Sequence, residues 1–188
     1  CGPDARELLI ESAMSDRAPL TGALDQLAQL QGDDIDQALL AVVKQGSSAE
    51  RLAALPRLLK EGKPDALGLA VDIATNGSRN EREQAMEMLS QAGTPKAFQA
   101  LLDLAGKARG QARLQALDML ASTHPADPTV GQLLVDAMFS GSRDQAQYAA
   151  SALGRIGTED ARQALMAALT GKDPQLAAAA ASALGQSG

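Results

Sequence analysis

Few residues in this 188-residue chain could do chemistry, and those few are scattered. Cys1 is the only thiol, so no disulfide can close within the chain. His124 is the only imidazole and precedes Pro125 in HPADP, a loop composition that reads as exposed. Metal sites draw three or four converging ligands, and one Cys and one His cannot supply them. No Ser/His/Asp set, no glycine-rich phosphate loop and no isolated carboxylate pair occurs, so no enzymatic activity, no cofactor and no metal is expected. Carboxylates such as Glu87 and Asp118 read as solvated helix face. What remains is the chemistry of contact. Tyr148, the one tyrosine, joins an apolar ring to a hydroxyl, and Met88 and Met119 adapt to varied partners. Arg51, Arg82 and Arg113 recur 31 residues apart, a regularity that points to a structural ladder.

Charge narrows the partners. Seventeen Lys and Arg against 23 Asp and Glu give a net charge of -6. A nucleic-acid surface needs clustered cations that displace counterions, so none is expected. No stretch approaches the ~18 apolar residues of a membrane span. Hydrophobic residues make up 45% of the chain but aromatics only 2%, a composition that suits close helix packing better than sheet.

The elements that position these residues are written as a repeat. ASALGRIG at 150–157 returns as ASALGQSG at 181–188. Stepping back from Leu184 gives Leu153, Leu120, Leu89, Leu58 and Leu27, at intervals of 31 except for one of 33. Alanine stands four residues before every one of these anchors, at 23, 54, 85, 116, 149 and 180. A small residue there lets two helix backbones approach closely. Gly62, Gly93, Gly157 and Gly188 follow their anchors by four residues and serve as helix stops. Helix starts are expected near Pro3, Asp34, Pro64, Pro95, Pro128 and Glu159, where proline at a first turn loses no hydrogen bond. Second helices follow breaks at 15–16, 46–48, 77–78, 106–110, 141–142 and 171–174, with Pro56 expected to kink or shorten one of them. The units run about 1–31, 32–62, 63–93, 94–124, 125–157 and 158–188, as one array. The expected fold is all-α: a right-handed α-solenoid of about six helical hairpins. Two helices of ~12 residues cannot bury their apolar faces alone, so stacking must do it.

AQYAASALGRIGTEDARQALMAAL strongly resembles the HEAT-like repeat of the phycocyanobilin-lyase type, and a weaker form of the pattern covers nearly the whole chain. The resemblance implies an arginine seven residues before the anchor, the place of Arg51, Arg82 and Arg113, as an inter-repeat ladder. The aspartate that faces it in the family is absent here, with Asn76 the nearest substitute. The resemblance also implies that second helices line a concave face. Arg57, Gln84, Met88, Gln115, Met119 and Tyr148 fall at its non-core positions and are the expected partner contacts. HEAT repeats serve mainly as binding scaffolds, so the expected function is non-enzymatic protein–protein interaction. A lyase, or a small-ligand carrier using the concave groove, is the competing class. DNA glycosylases built from similar repeats use a basic aromatic face, which this acidic chain without Trp lacks.

Cys1-Gly2 resembles the start of a mature bacterial lipoprotein, in which the thiol carries a diacylglycerol. Gly2 rather than Asp resembles the outer-membrane class. The expectation is a lipid-anchored, periplasmic subunit of an envelope assembly, with a cytosolic adaptor as the alternative. In the last unit QLAAAAASALGQSG is almost wholly small and apolar, whereas a terminal repeat normally turns a polar face to water. Its outer side is therefore expected to be covered by a partner protein, a second copy or further chain.

Overall fold

The computed structural model describes residues 7, 9–11, 24, 26, 27, 29, 30 and 32–186. The expectations attached to Cys1, Gly2, Pro3, Ala23 and Gly188 fall outside these residues. Among the described residues every regular element is a helix. Ten run from residue 33 onward: α1 Asp33–Gln45, α2 Ser48–Lys60, α3 Pro64–Asn76, α4 Arg79–Ala92, α5 Pro95–Lys107, α6 Gly110–Thr123, α7 Pro128–Ser140, α8 Arg143–Ile156, α9 Glu159–Leu169 and α10 Pro174–Gln186. The expected starts at Pro64, Pro95, Pro128 and Glu159 coincide with the observed ones, and the start expected near Asp34 falls at Asp33.

Local chemistry explains these boundaries. The side chains of Thr94, Asp127, Thr158 and Asp173 accept backbone N–H groups at the starts of α5, α7, α9 and α10. The turns inside hairpins carry reciprocal caps. The Ser47 N–H donates to Glu50 Oε2 at 2.7 Å, Ser78 N–H to Glu81 Oε2 at 2.7 Å, and Ser142 N–H to Gln145 Oε1 at 3.2 Å. Helices α4 and α8 end on Gly93 and Gly157, with φ of 63° and 64°, a left-handed backbone that glycine adopts cheaply.

Two positions expected to disturb a helix lie within one. Pro56 does not shorten α2, which continues to Lys60 with the ring exposed on its outer side. Proline removes one donor and leaves one carbonyl of the preceding turn without its helical partner, a local cost that the buried apolar face of α2 outweighs. Gly106, read as part of a break, lies inside α5.

The chain forms two compact units, Cys1–Ala100 and Leu101–Gly188. In the first, α1 pairs with α2 and α3 with α4, while α3 packs on α1 and α4 on α2. In the second, α7 pairs with α8 and α9 with α10; α9 packs on α7, and α6, α8 and α10 pack in sequence. First helices lie on first helices and second on second, which is α-solenoid packing. The alanine column has the consequence expected of it: Ala54, Ala85, Ala116, Ala149 and Ala180 are all fully buried. So are the anchors Leu27, Leu58 and Leu120, with Leu89 and Leu153 nearly so.

Candidate interaction surface

In the first unit the arginines close the hairpin turns. Arg51 Nε donates to the Gly46 carbonyl at 2.9 Å, and Arg82 Nη1 to the Gly77 carbonyl at 2.7 Å. Each thereby satisfies a carbonyl at the end of the preceding helix, one of the groups a helix leaves without an internal partner. Asn76, the substitute for the family aspartate, donates to Asp72 at 2.8 Å. Arg51 and Arg82 thus meet backbone carbonyls where the HEAT resemblance implies a carboxylate. Glu81 links neighbouring hairpins. Hydrogen bonds from Ser48 above all, then from Ser78, lower its carboxyl to about 2, with the positive charge of Arg51 adding to the effect.

Arg57 is placed differently from its expected role. Its guanidinium meets Asp36 at 3.1 Å and Glu61 at 3.4 Å, and its side chain is 11% exposed. Lys63 joins from the far side, 2.8 Å from Asp36. Burial alone would raise the Asp36 carboxyl; the Lys63 hydrogen bond and the charges of Lys63 and Arg57 outweigh it and hold the group below its ordinary range. Arg57 is therefore a structural ion-pair residue between α1 and α2 and not an open contact group. Gln84 on α4 is exposed and Met88 is half-buried.

The second unit brings more of the expected contact residues together. Gln115 and Met119 lie half-buried on α6, and Tyr148 lies half-buried on α8, which packs against it. The Tyr148 hydroxyl donates to Asp118 Oδ1 at 2.7 Å, and the Arg155 guanidinium lies 5.9 Å from the ring centre. Burial, followed by the Asp118 carboxylate, pushes the phenol above its ordinary range, so it stays protonated and donates. Beside Tyr148, between α8 and α10, opens a polar groove of about 450 Å³. Asp144, Gln147, Ser151, Ser182 and Gln186 line it, offering carboxylate, amide and hydroxyl groups.

Behind this surface Arg113 repeats the clasp of the first unit. Its Nε donates to the Ala105 carbonyl at 3.0 Å and its Nη1 reaches Gln145 Oε1 at 3.5 Å. Gln145 is buried and spans two hairpins, since its Nε2 also donates to the Gly110 carbonyl at 3.3 Å. His124 is half-buried at the end of α6, its Nδ1 2.8 Å from Thr123 Oγ1.

Asp118 is exposed, as its reading as solvated helix face implies, but its bond to Tyr148 was not foreseen, nor was Arg155 beside the ring. The signal was present: two residues before one anchor and five before the next are neighbouring sites once hairpins stack. Among the described residues no group of three or more His, Cys, Asp or Glu is placed to hold a metal ion. No helix among them is long and apolar enough to cross a membrane.

Residues 128–188 match the family model for HEAT repeats. No curated protein matches the chain. Among solved structures, human deoxyhypusine hydroxylase in complex with glycerol is similar at 18% identity and a TM-score of 0.50, over 100% of this chain and 85% of that one. A computationally designed armadillo repeat protein for modular peptide recognition is similar at 17% identity, covering 95% of this chain and 98% of its own, with a TM-score of 0.47. At such identity the likeness to the hydroxylase is one of fold. The stacked hairpins and their alanine column make this an α-solenoid, and its last two hairpins are similar to HEAT repeats.

Proposed function

We propose that this protein is a non-enzymatic scaffold that grips a protein partner with the second helices of its C-terminal unit. The observation that carries this reading is the Tyr148 arrangement. Its ring is held from two sides by Asp118 and Arg155, it retains exposed surface, and a polar groove lies beside it. A pre-ordered aromatic with a hydroxyl spends little conformational entropy on binding, which is why Tyr is enriched at interface centres. Gln115 and Met119 extend the same patch with one adaptable polar and one adaptable apolar group. A segment of partner backbone would find donors and acceptors in Gln147, Ser151 and Ser182.

The reading includes a place in the cell: a lipid anchor on Cys1, facing the periplasm from the outer membrane, as part of an envelope complex. The basis is the Cys1-Gly2 sequence. Acyl chains contribute about 0.8 kcal/mol per buried CH2, so several chains together give stable anchoring. One experiment tests both parts. Protein purified from its native cells is weighed intact and its co-purifying partners are identified, in parallel for wild type and a Tyr148→Ala, Met119→Glu variant. Acyl mass on Cys1 and a partner lost in the variant are expected. An unmodified Cys1 would place the scaffold in the cytosol, and a partner retained undiminished by the variant would remove this surface from the reading.

A further inference from the structure

Where the turns of the last two hairpins lie side by side, α7, α8, α9 and α10 border a cleft of about 690 Å³. That size falls within the range of ligand sites, roughly 300–1,000 Å³. The cleft runs into the polar groove beside Tyr148, since Gln147, Ala179 and Ser182 line both. Its apolar part is formed by Met138 and Phe139 of α7 and Leu176 of α10. Phe139 stays 53% exposed although α9 and α10 already pack on its hairpin. The α10 positions are open for the same reason of placement. Gln175 and Ala178 stand 31 residues after Asp144 and Gln147 of α8, which remain exposed with a hairpin stacked on them. The cleft also holds two cations, Arg143 and Lys172. Elsewhere Lys44, Arg57, Lys63, Arg79, Lys107 and Arg162 each meet a carboxylate; among the described residues Arg143 and Lys172 meet none. The one carboxylate in the lining, Asp173, accepts the N–H groups of Gln175 and Leu176 at the start of α10. Asp144 lines the adjoining groove and not the cleft. In a chain of net charge -6 this is a locally cationic place with an apolar floor.

We propose that this cleft binds an acidic linear peptide, with an apolar side chain against Phe139 and Leu176 and a neighbouring Asp or Glu paired with Arg143 and Lys172. The proposal rests on the scaffold reading and deepens it by giving the partner's chemistry. Two features select this occupant. The first is charge complementarity: cations without an internal carboxylate attract an acidic segment and repel a basic one. The second is continuity with the groove. An extended backbone leaving the cleft meets the amide of Gln147 and the hydroxyl of Ser182, which can donate to its carbonyls and accept from its N–H groups. A small anion would use the cations and leave the apolar floor and the groove empty.

Random linear peptides displayed on phage, selected on the immobilised chain, test this. The enriched sequences are then made with a fluorophore and titrated by anisotropy. Sequences that set Asp or Glu beside Leu, Met or Phe are expected, with affinity that falls as salt rises and screens the charge contact. Arg143→Glu combined with Lys172→Glu should raise the dissociation constant at least about tenfold, and Phe139→Ser at least about fivefold. All three side chains are exposed, so the helical circular dichroism of both variants should match wild type. Enriched peptides without acidic residues, or bound equally well by the charge-reversed variant, overturn the proposal. If those peptides are lost with Tyr148→Ala instead, the scaffold reading stands and only the role of the cleft falls. If no peptide is enriched, the acidic linear partner is excluded, and the co-purification experiment at Tyr148 and Met119 decides the scaffold reading separately.

Discussion

Gly154 and Ala183 bring two helix backbones into contact: a Cβ placed on Gly154 would sit 2.8 Å from the Ala183 carbonyl oxygen and 2.9 Å from its Cβ. Glycine within a helix costs about 1 kcal/mol relative to alanine, so Gly154 is retained against local propensity. Gly154→Ala should gain that propensity and lose more by prying α8 from α10, for a net cost of about 1–3 kcal/mol. Gly185→Ala, where space is open, should be neutral or stabilising by up to about 1 kcal/mol. Urea unfolding of both variants in dilute protein separates the two outcomes. Equal effects would contradict the close approach of α8 and α10 at Gly154.

Asp36 is buried beneath Arg57 and Lys63. Asp36→Asn takes from the Arg57 guanidinium, 11% exposed, the carboxylate charge that lies 3.1 Å from it. Removing one member of a buried pair should destabilise the first unit by about 2–4 kcal/mol. The pH dependence has two limbs. The depressed Asp36 carboxyl contributes stability above its unfolded value and loses it as pH falls through the lower folded one. The hydrogen bond to Asp36 raises Lys63, whose contribution is full below its unfolded value and fades as pH rises through the folded one. Thermal melts of wild type and Asp36→Asn should therefore converge as the solution is acidified.

Glu81 gives a second acid-sensitive link. Its carboxyl is lowered to about 2, above all by the Ser48 hydrogen bond. The stability it contributes is complete above the ordinary glutamate range and is lost between about pH 4.3 and the folded value. In Ser48→Ala the Glu81 midpoint, followed by carboxyl carbon NMR, should rise toward the ordinary value. An unchanged midpoint would assign the shift to the Ser78 cap alone.

Tyr148 is the only tyrosine in a chain without Trp, so its phenol titrates alone in the ultraviolet. Burial and Asp118 raise it, which means that its stabilising effect is full below the ordinary phenol range and fades as pH rises past it. Asp118→Asn should bring the midpoint down, and Tyr148→Phe should cost about 1 kcal/mol. A midpoint at the free-tyrosine value in wild type would contradict the Tyr148–Asp118 hydrogen bond.

Much of the fold was legible because a repeat shows its packing rule several times. Ala54, Ala85, Ala116, Ala149 and Ala180 are fully buried at the spacing the sequence sets, and proline marks helix starts at 64, 95 and 128. Whether Pro56 would shorten its helix was not legible, because propensity describes a helix interior in general and cannot say which face is wet. The site was less legible. The periodicity placed Tyr148, Gln115 and Met119 on one run of helices, but it could not show that Arg57 would be drawn into an ion pair. That depends on Asp36, 21 residues earlier, whose burial arises only when α1 and α2 pair. Asp118 was overlooked for a related reason, since alone on its helix it reads as surface and gains its role from a tyrosine 30 residues on.

The serine caps at 47, 78 and 142 each close within four residues. Each bend is closed by its own serine, and Glu81 and Gln145 also tie two of the bends to the hairpin before them. A hairpin bounded this way behaves as a cassette, so descent can lengthen or trim the row by whole pieces without redesigning the joints. ASALGRIG at 150–157 and ASALGQSG at 181–188 are two such pieces written almost alike.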